Sequence, residues 1–204
     1  SMGGISQAFA DNIPVLVIPG APPLNQLSVR PNFNATSNYK GIVKTAECIT
    51  QPDQVIDVMR RAFHNIKNGR PGPVVVEVPA DISSSQISFD INSYKPPTKA
   101  YHAPSNSDIS KAVEKLLTAK NPLIVAGQGV LFSRSTKELQ KLAEMINVPV
   151  YTTMPGKSAI NETHPLSLGA GVQTTTLQAR KWLDESDVIL ALGTSMTNTP
   201  YAQS

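Results

Sequence analysis

The sequence predicts an α/β protein, with parallel sheets and flanking helices, on three observations. Runs rich in valine, isoleucine and leucine at Val15–Ile18, Val74–Val78, Leu123–Ala126, Val148–Thr152 and Val188–Leu192 have the near-continuous apolar character of strands buried on both faces. Amphipathic helical stretches fall between them, which is the alternation of βαβ units. Hydrophobic residues make up 40% of the 204 and charged residues only 16%, a balance that suits a well-buried sheet.

The elements follow in order. Ile5–Ala10 reads as the tail of a helix and Val15–Ile18 as the first strand. Gly20–Asn38, rich in Pro and Asn, reads as an irregular loop beyond a strand's C-terminal end, where such folds place ligands. Asp53–Lys67 is a helix with Val55, Val58, Ala62 and Ile66 on one face, and Thr50 with Asp53 as its cap. Gly69 is suited to the left-handed residue that ends this helix. Pro71, Gly72 and Pro73 make a stiff turn before the strand Val74–Val78. Pro79 cannot donate to the ladder and Asp81 can bond the backbone of the next turn.

Residues 88–107 carry three prolines and no sustained periodicity, so they read as an ordered linker between two domains. Beyond it, Ile109, Ala112, Val113, Leu116 and Leu117 define an amphipathic helix. Leu123–Ala126 is a strand ending in Gly127-Gln128-Gly129. Ser135 and Glu138 have the spacing of a capping box for a helix carrying Leu139, Leu142, Ala143 and Ile146. Val148–Thr152 is the next strand, a helix follows with Ala179, Trp182 and Leu183, and Val188–Leu192 is a third strand ending at Gly193.

Several function classes are disfavoured by composition. The net charge of +3 is small and dispersed, with no basic run and no aromatic platform, so nucleic acid is not the expected partner. One cysteine, Cys48, supplies neither a disulfide framework nor a multi-cysteine zinc site, and it reads as a small core residue. No apolar stretch reaches the roughly 18 residues of a membrane helix, and cytoplasmic is the default expectation. Gly127-Gln128-Gly129 follows a strand as a dinucleotide fingerprint requires, but Phe132 stands where the third glycine belongs. Thr152 and Thr153 end the second strand where the ribose-binding carboxylate would stand.

Three segments taken together carry a family resemblance: AFADNIPVLVIPG from Ala8, GRPGPVVVEVPAD from Gly69, and PVYTTMPGKSAINETHPLSLGAG from Pro149. Their order and spacing resemble the thiamine diphosphate enzymes of the acetolactate synthase, oxalyl-CoA decarboxylase and 2-hydroxyacyl-CoA lyase type, a group that includes glyoxylate carboligases. Whole enzymes of this kind are longer and have three domains. The resemblance implies an internal piece: residues 1–87 as the C-terminal half of a pyrimidine-binding domain, 88–107 as linker, and 108–204 as the start of a Rossmann-like central domain. It implies an enzyme that makes or breaks the carbon–carbon bond next to a carbonyl, by 2-oxo acid decarboxylation and carboligation or by 2-hydroxyacyl-CoA cleavage. Thiamine diphosphate and Mg would serve the full-length enzyme, which would be a homodimer or homotetramer.

Residue by residue, Phe33 and Asn34 match a loop position where acetolactate synthases carry Phe-Gln near the substrate. Asn34 departs from that pattern. Both residues also fit an ordinary loop that packs an aromatic and turns on an asparagine. Lys44 matches a family lysine, though a solvated strand-end role fits it as well. FAD or ADP in the central domain would meet Gly127, Gly129, Thr152, Thr153, Gly169, Gly171, Gly193, Thr194 and Ser195, which lie at or near strand ends where amides can receive phosphate. The same glycines fit plain tight turns, and Gly169–Gln173 departs from the GMHG of FAD-binding members. The family's catalytic glutamate and its metal-binding GDG motif have no counterpart in these residues, so no catalytic or metal-ligating residue is expected and the chain alone should be inactive. Two alternatives stand beside this reading: a stand-alone nucleotide-binding or regulatory module, and a sirtuin-like NAD-dependent deacylase suggested by Gly193-Thr194-Ser195 and Pro200.

Overall fold

A computed structural model describes residues 2–171 and 175–196, and the chain divides into two units, Ser1–His102 and Ala103–Ser204. In the first unit the elements are α1 (Met2–Ala10), β1 (Leu16–Val17), β2 (Gly20–Ala21), α2 (Ala35–Tyr39), β3 (Thr45–Cys48), α3 (Val55–Lys67), β4 (Val74–Pro79) and α4 (Ala80–Ser83). β4 is the centre of a parallel sheet. β1 and β3 both register on Val74 and Val75, so they occupy opposite edges of β4, while β2 pairs further along at Val78 and Pro79.

The side-chain alternation of β4 divides its valines between two cores. Val74 and Val76 pack with Ile49 and with Val58 and Ala62 of α3, whereas Val75 packs with Ile5, Ala35, Tyr39 and Val43. Val74, Val75 and Val76 are all at most 1% exposed, and burying each contributes on the order of 2 kcal/mol. Gly69 has φ +68, the left-handed conformation that ends α3.

The cap at the start of α3 differs from the expected one. Thr50 pairs with the Gln54 side-chain oxygen, through both its N–H and its hydroxyl, rather than with Asp53. The Gly20–Asn38 segment also differs from an irregular loop, since it contains β2, a 3-10 turn at Leu24–Gln26 and the first residues of α2. After α4, the proline-rich stretch folds back on its own unit: Lys67 Nζ donates to the Pro97 carbonyl and the Asn68 side chain bonds Thr98 and Ala100.

The second unit contains α5 (Asn106–Thr118), β5 (Pro122–Ala126), α6 (Gln128–Ser133), α7 (Thr136–Ile146), β6 (Val150–Thr152), β7 (Ser167–Ala170), α8 (Leu177–Glu185) and β8 (Val188–Leu192). All strand pairs are parallel in the order β7-β6-β5-β8. Val188–Leu192 is therefore the fourth strand, not the third. β7 carries no strand signal in the sequence, because Ser-Leu-Gly-Ala has no apolar run. The Ser135–Glu138 capping box does not form either: Ser135 precedes α7 but its hydroxyl accepts no bond from the helix. Ile124, Ala126, Val130, Leu139, Ala143 and Val150 make one core of this unit, and Leu123, Val125, Tyr151 and Ala179 the other.

Candidate functional site

In the first unit, the segment between β2 and α2 is tied at both ends to carboxylates, Asp81 of α4 and Glu77 of β4. Asp81 accepts from Leu24 N–H at 3.2 and 3.3 Å, and from Ile82 N–H at 3.1 Å. Glu77 is 0% exposed. Its Oε1 accepts from Ala35 N–H at 2.8 Å, and its Oε2 accepts from Thr36 N–H at 2.9 Å and the Thr36 hydroxyl at 2.6 Å. A buried charge is stable only when hydrogen-bonded in this way. Burial first, and then the charges of Glu77 and Asp81, push the Cys48 thiol above its ordinary value.

Phe33 and Asn34 stand between these two ties. The Phe33 ring is 53% exposed and meets the buried Tyr39 ring edge-on at 5.8 Å. The Asn34 side-chain oxygen accepts from Ser37 N–H at 2.7 Å, capping α2. The structure shows a half-exposed aromatic that packs on Tyr39 and an asparagine that turns the chain into a helix. Glu77 went unremarked in the sequence because it sits inside a valine run. The available signal was that an acidic residue two positions after Val75 falls on the same face of a buried strand.

Lys44 is not a solvated strand-end lysine. Its Nζ donates to the carbonyls of Asn65 and Asn68 at the end of α3, where a cation also favours the helix dipole. Burial pushes its ammonium below the ordinary value. Gly72 lies beneath the stem, since a Cβ there would be 3.0 Å from Lys44 Cγ.

In the second unit the strand order reverses direction between β5 and β8, the place where open α/β sheets form a crevice. Gly127, Gly129 and Gly193 meet there by backbone. A Cβ on Gly127 would lie 2.4 Å from the Gly193 carbonyl, one on Gly129 2.6 Å from Gly193 Cα, and one on Gly193 2.6 Å from Val130 N. Gly193 also has φ +61. The space freed by these glycines is filled by neighbouring backbone. Their amides are committed too: Gly127 N–H donates to Leu192 and Gly129 N–H to Gly193, each at 2.8 Å. Gly156, not singled out in the sequence, completes the contact, because a Cβ there would lie 2.5 Å from the Ala126 carbonyl.

Thr152, Thr153, Gly169 and Gly171 gather at β6 and β7, while Thr194 and Ser195 follow β8. The buried Thr152 hydroxyl donates to Gly169, Gly171 N–H donates to Thr152, and Thr153 accepts from Gly156 N–H. The Thr194 hydroxyl accepts from Met196 N–H. Beside Gly129 and Gly193 lies a cavity of about 300 Å³, walled by Leu139, Leu142 and Leu192 with Ser133, Ser135 and Glu138 at its polar side. Val172, Gln173 and Pro200 lie outside the described residues. Among the described residues, no three His, Cys, Asp or Glu side chains gather to hold a metal, and no helix is long and apolar enough to cross a membrane.

Two parallel-sheet units, the second with its strand order reversing between β5 and β8, place the chain among α/β proteins. Comparison with known proteins makes this specific. Residues 109–204 match the family described as thiamine pyrophosphate enzyme, central domain. The chain is 34% identical over 199 residues to a probable acetolactate synthase large subunit of Methanococcus aeolicus, covering 93% of the chain and 33% of that protein. It is 36% identical over 195 residues to the glyoxylate carboligase of Escherichia coli O157:H7, covering 94% and 33%. It is 32% identical over 205 residues to the acetolactate synthase large subunit of Cyanidium caldarium, covering 93% and 34%. The chain spans about a third of the length of the curated relatives it matches. Residues 109–204 thus match a thiamine pyrophosphate enzyme central domain, and nearly the whole chain is similar to acetolactate synthases and a glyoxylate carboligase.

Proposed function

We propose that this chain is part of a thiamine diphosphate- and Mg-dependent enzyme that makes or breaks the carbon–carbon bond next to a carbonyl. The observation that carries the reading is the similarity over nearly the whole chain to acetolactate synthases and a glyoxylate carboligase. The first unit would be the second half of the pyrimidine-binding domain. Substrates would be 2-oxo acids, or 2-hydroxyacyl-CoA thioesters in the cleavage direction, and the whole protein a cytoplasmic homodimer or homotetramer.

Among the described residues no acids gather to hold a metal, and the one fully buried carboxylate among them, Glu77, is occupied by α2. The cofactor, when bound to the whole protein, supplies an electron sink for the carbanion. What this chain contributes is orientation. Phe33, exposed and braced by Tyr39, offers an apolar wall to the substrate carbonyl compound, and Asn34 fixes where that wall stands. Asn34, shorter than glutamine, moves the reading away from acetolactate synthase alone and leaves glyoxylate-type carboligation open.

FAD or ADP in the second unit would rest on Thr153, Thr194 and Ser195, since the Gly169 and Gly171 amides are bonded to Ser167 and to the Thr152 carbonyl. Gly127 and Gly129 would contribute no amide, because both are bonded to the end of β8. Calorimetric titration of this chain with thiamine diphosphate and Mg is expected to show no binding, and tight binding would overturn the assignment of the cofactor site to other parts of the protein. A stand-alone nucleotide module would instead bind ADP tightly as the isolated chain. NAD consumption with an acylated peptide would revive the deacylase reading.

A further inference from the structure

Glu77 poses a question that the proposed reaction does not answer. It shares its face of β4 with Val75 and the apolar cluster of Ala35, Tyr39 and Val43, where a leucine would pack without a buried charge to satisfy. What a carboxylate does there, and an apolar side chain cannot, is accept several hydrogen bonds in one plane. Two consecutive amides and a hydroxyl, from Ala35 and Thr36, converge on its two oxygens. Those amides belong to the residues that directly follow Phe33 and Asn34. The other end of the segment is bonded to Asp81 through Leu24 N–H.

We propose that Glu77 is a positioning residue: by holding the Ala35 and Thr36 amides it fixes the presentation of Phe33 and Asn34, and so sets how the substrate carbonyl compound is received. This rests on the carbon–carbon bond reaction proposed above. The Phe33 ring direction follows from two constraints, the edge contact with Tyr39 and the start of α2 at Asn34. Both move if α2 is released from β4. A five-residue helix is too short to persist by its own backbone bonds, so the tie to Glu77 and the Asn34 cap determine where it begins. Glutamine cannot replace the carboxylate. It offers one oxygen to the two N–H donors, and its own NH₂ would face an N–H.

Two measurements test this, one of them independent of turnover. In this chain, hydrogen exchange at the Ala35 and Thr36 amides is expected to quicken at least about tenfold in E77Q, with Val75 and Val76 unchanged. In the whole protein that carries the chain, E77Q is expected to raise the KM for the 2-oxo acid about tenfold, with kcat and cofactor affinity little changed. T36V removes only the hydroxyl contact and is expected to shift KM in the same direction by about threefold; it carries the test if E77Q does not fold. Unchanged protection of both amides in folded E77Q, or a lowered melting temperature with KM unchanged, overturns the proposal. If the wild-type whole protein shows no thiamine diphosphate-dependent turnover, the reaction reading fails; quickened exchange in E77Q would still support the tie, and retained protection would still overturn it.

Discussion

In the first unit a fully buried carboxylate, Glu77, joins the central strand to the loop beside it, whereas in the second the corresponding junction is backbone against backbone at Gly127, Gly129 and Gly193. Both lie at the C-terminal end of a parallel sheet. The polar tie leaves the Phe33 ring half-exposed against Tyr39 and the Asn34 side chain turned back to cap α2. The glycine junction leaves neither side-chain room nor free Gly127 and Gly129 amides. The first unit holds its loop through a buried side chain, and the second closes its turn with the least possible bulk.

The comparison breaks first, and most severely, at Gly193. Alanine there meets Val130 N at 2.6 Å and must also hold φ +61. Overpacking against backbone and left-handed strain together predict a loss of about 4 kcal/mol in denaturant unfolding of the second unit. A loss under about 1 kcal/mol would show that the junction can part to admit a side chain. The polar tie is expected to be slightly less costly to lose. Glu77→Ala strands two amides and opens a cavity, for about 3 kcal/mol in the first unit.

A smaller effect distinguishes charge from backbone within the second unit. Asp187 accepts from the Lys120 and Asn121 amides at 2.8 and 2.9 Å, which hold its carboxyl below its ordinary value of 3.8. A carboxyl lowered in the folded state stabilises above its ordinary value and loses that contribution as pH falls through the lower folded value. Melting of wild type and Asp187→Asn from pH 6 to pH 2 should therefore differ at the upper end and converge at the lower. A difference that persists unchanged at pH 2 contradicts the assignment. The smallest contrast is between two helix starts. Thr176→Ala should cost about 1 kcal/mol, because the hydroxyl accepts from Ala179 N–H. Ser135→Ala, with no helix bond to lose, should fall within about 0.5 kcal/mol.

Much of this was legible in the sequence for physical reasons that the structure makes plain. The valine run became the central strand because nothing but a two-sided core accommodates Val74, Val75 and Val76. Gly69 read correctly because its conformation is local. What escaped was whatever depended on a distant neighbour. α2 has no hydrophobic period and exists through Asn34 and Glu77. The glycines at 127 and 129 have the spacing of a phosphate turn, but only the position of β8 shows that backbone already fills the space. The Ser135–Glu138 spacing matched a capping box, yet Ser135 takes a conformation whose hydroxyl turns back to Ser133.

The most direct measurement is CO₂ release from pyruvate and from glyoxylate, together with aldehyde release from a 2-hydroxyacyl-CoA, by the whole protein that contains this chain, with thiamine diphosphate and Mg each supplied or withheld. The account predicts turnover with at least one of these substrates that requires both additions, and none from residues 1–204 alone. No turnover under any of these conditions, or the same rate with thiamine diphosphate withheld from cofactor-stripped protein, would contradict it.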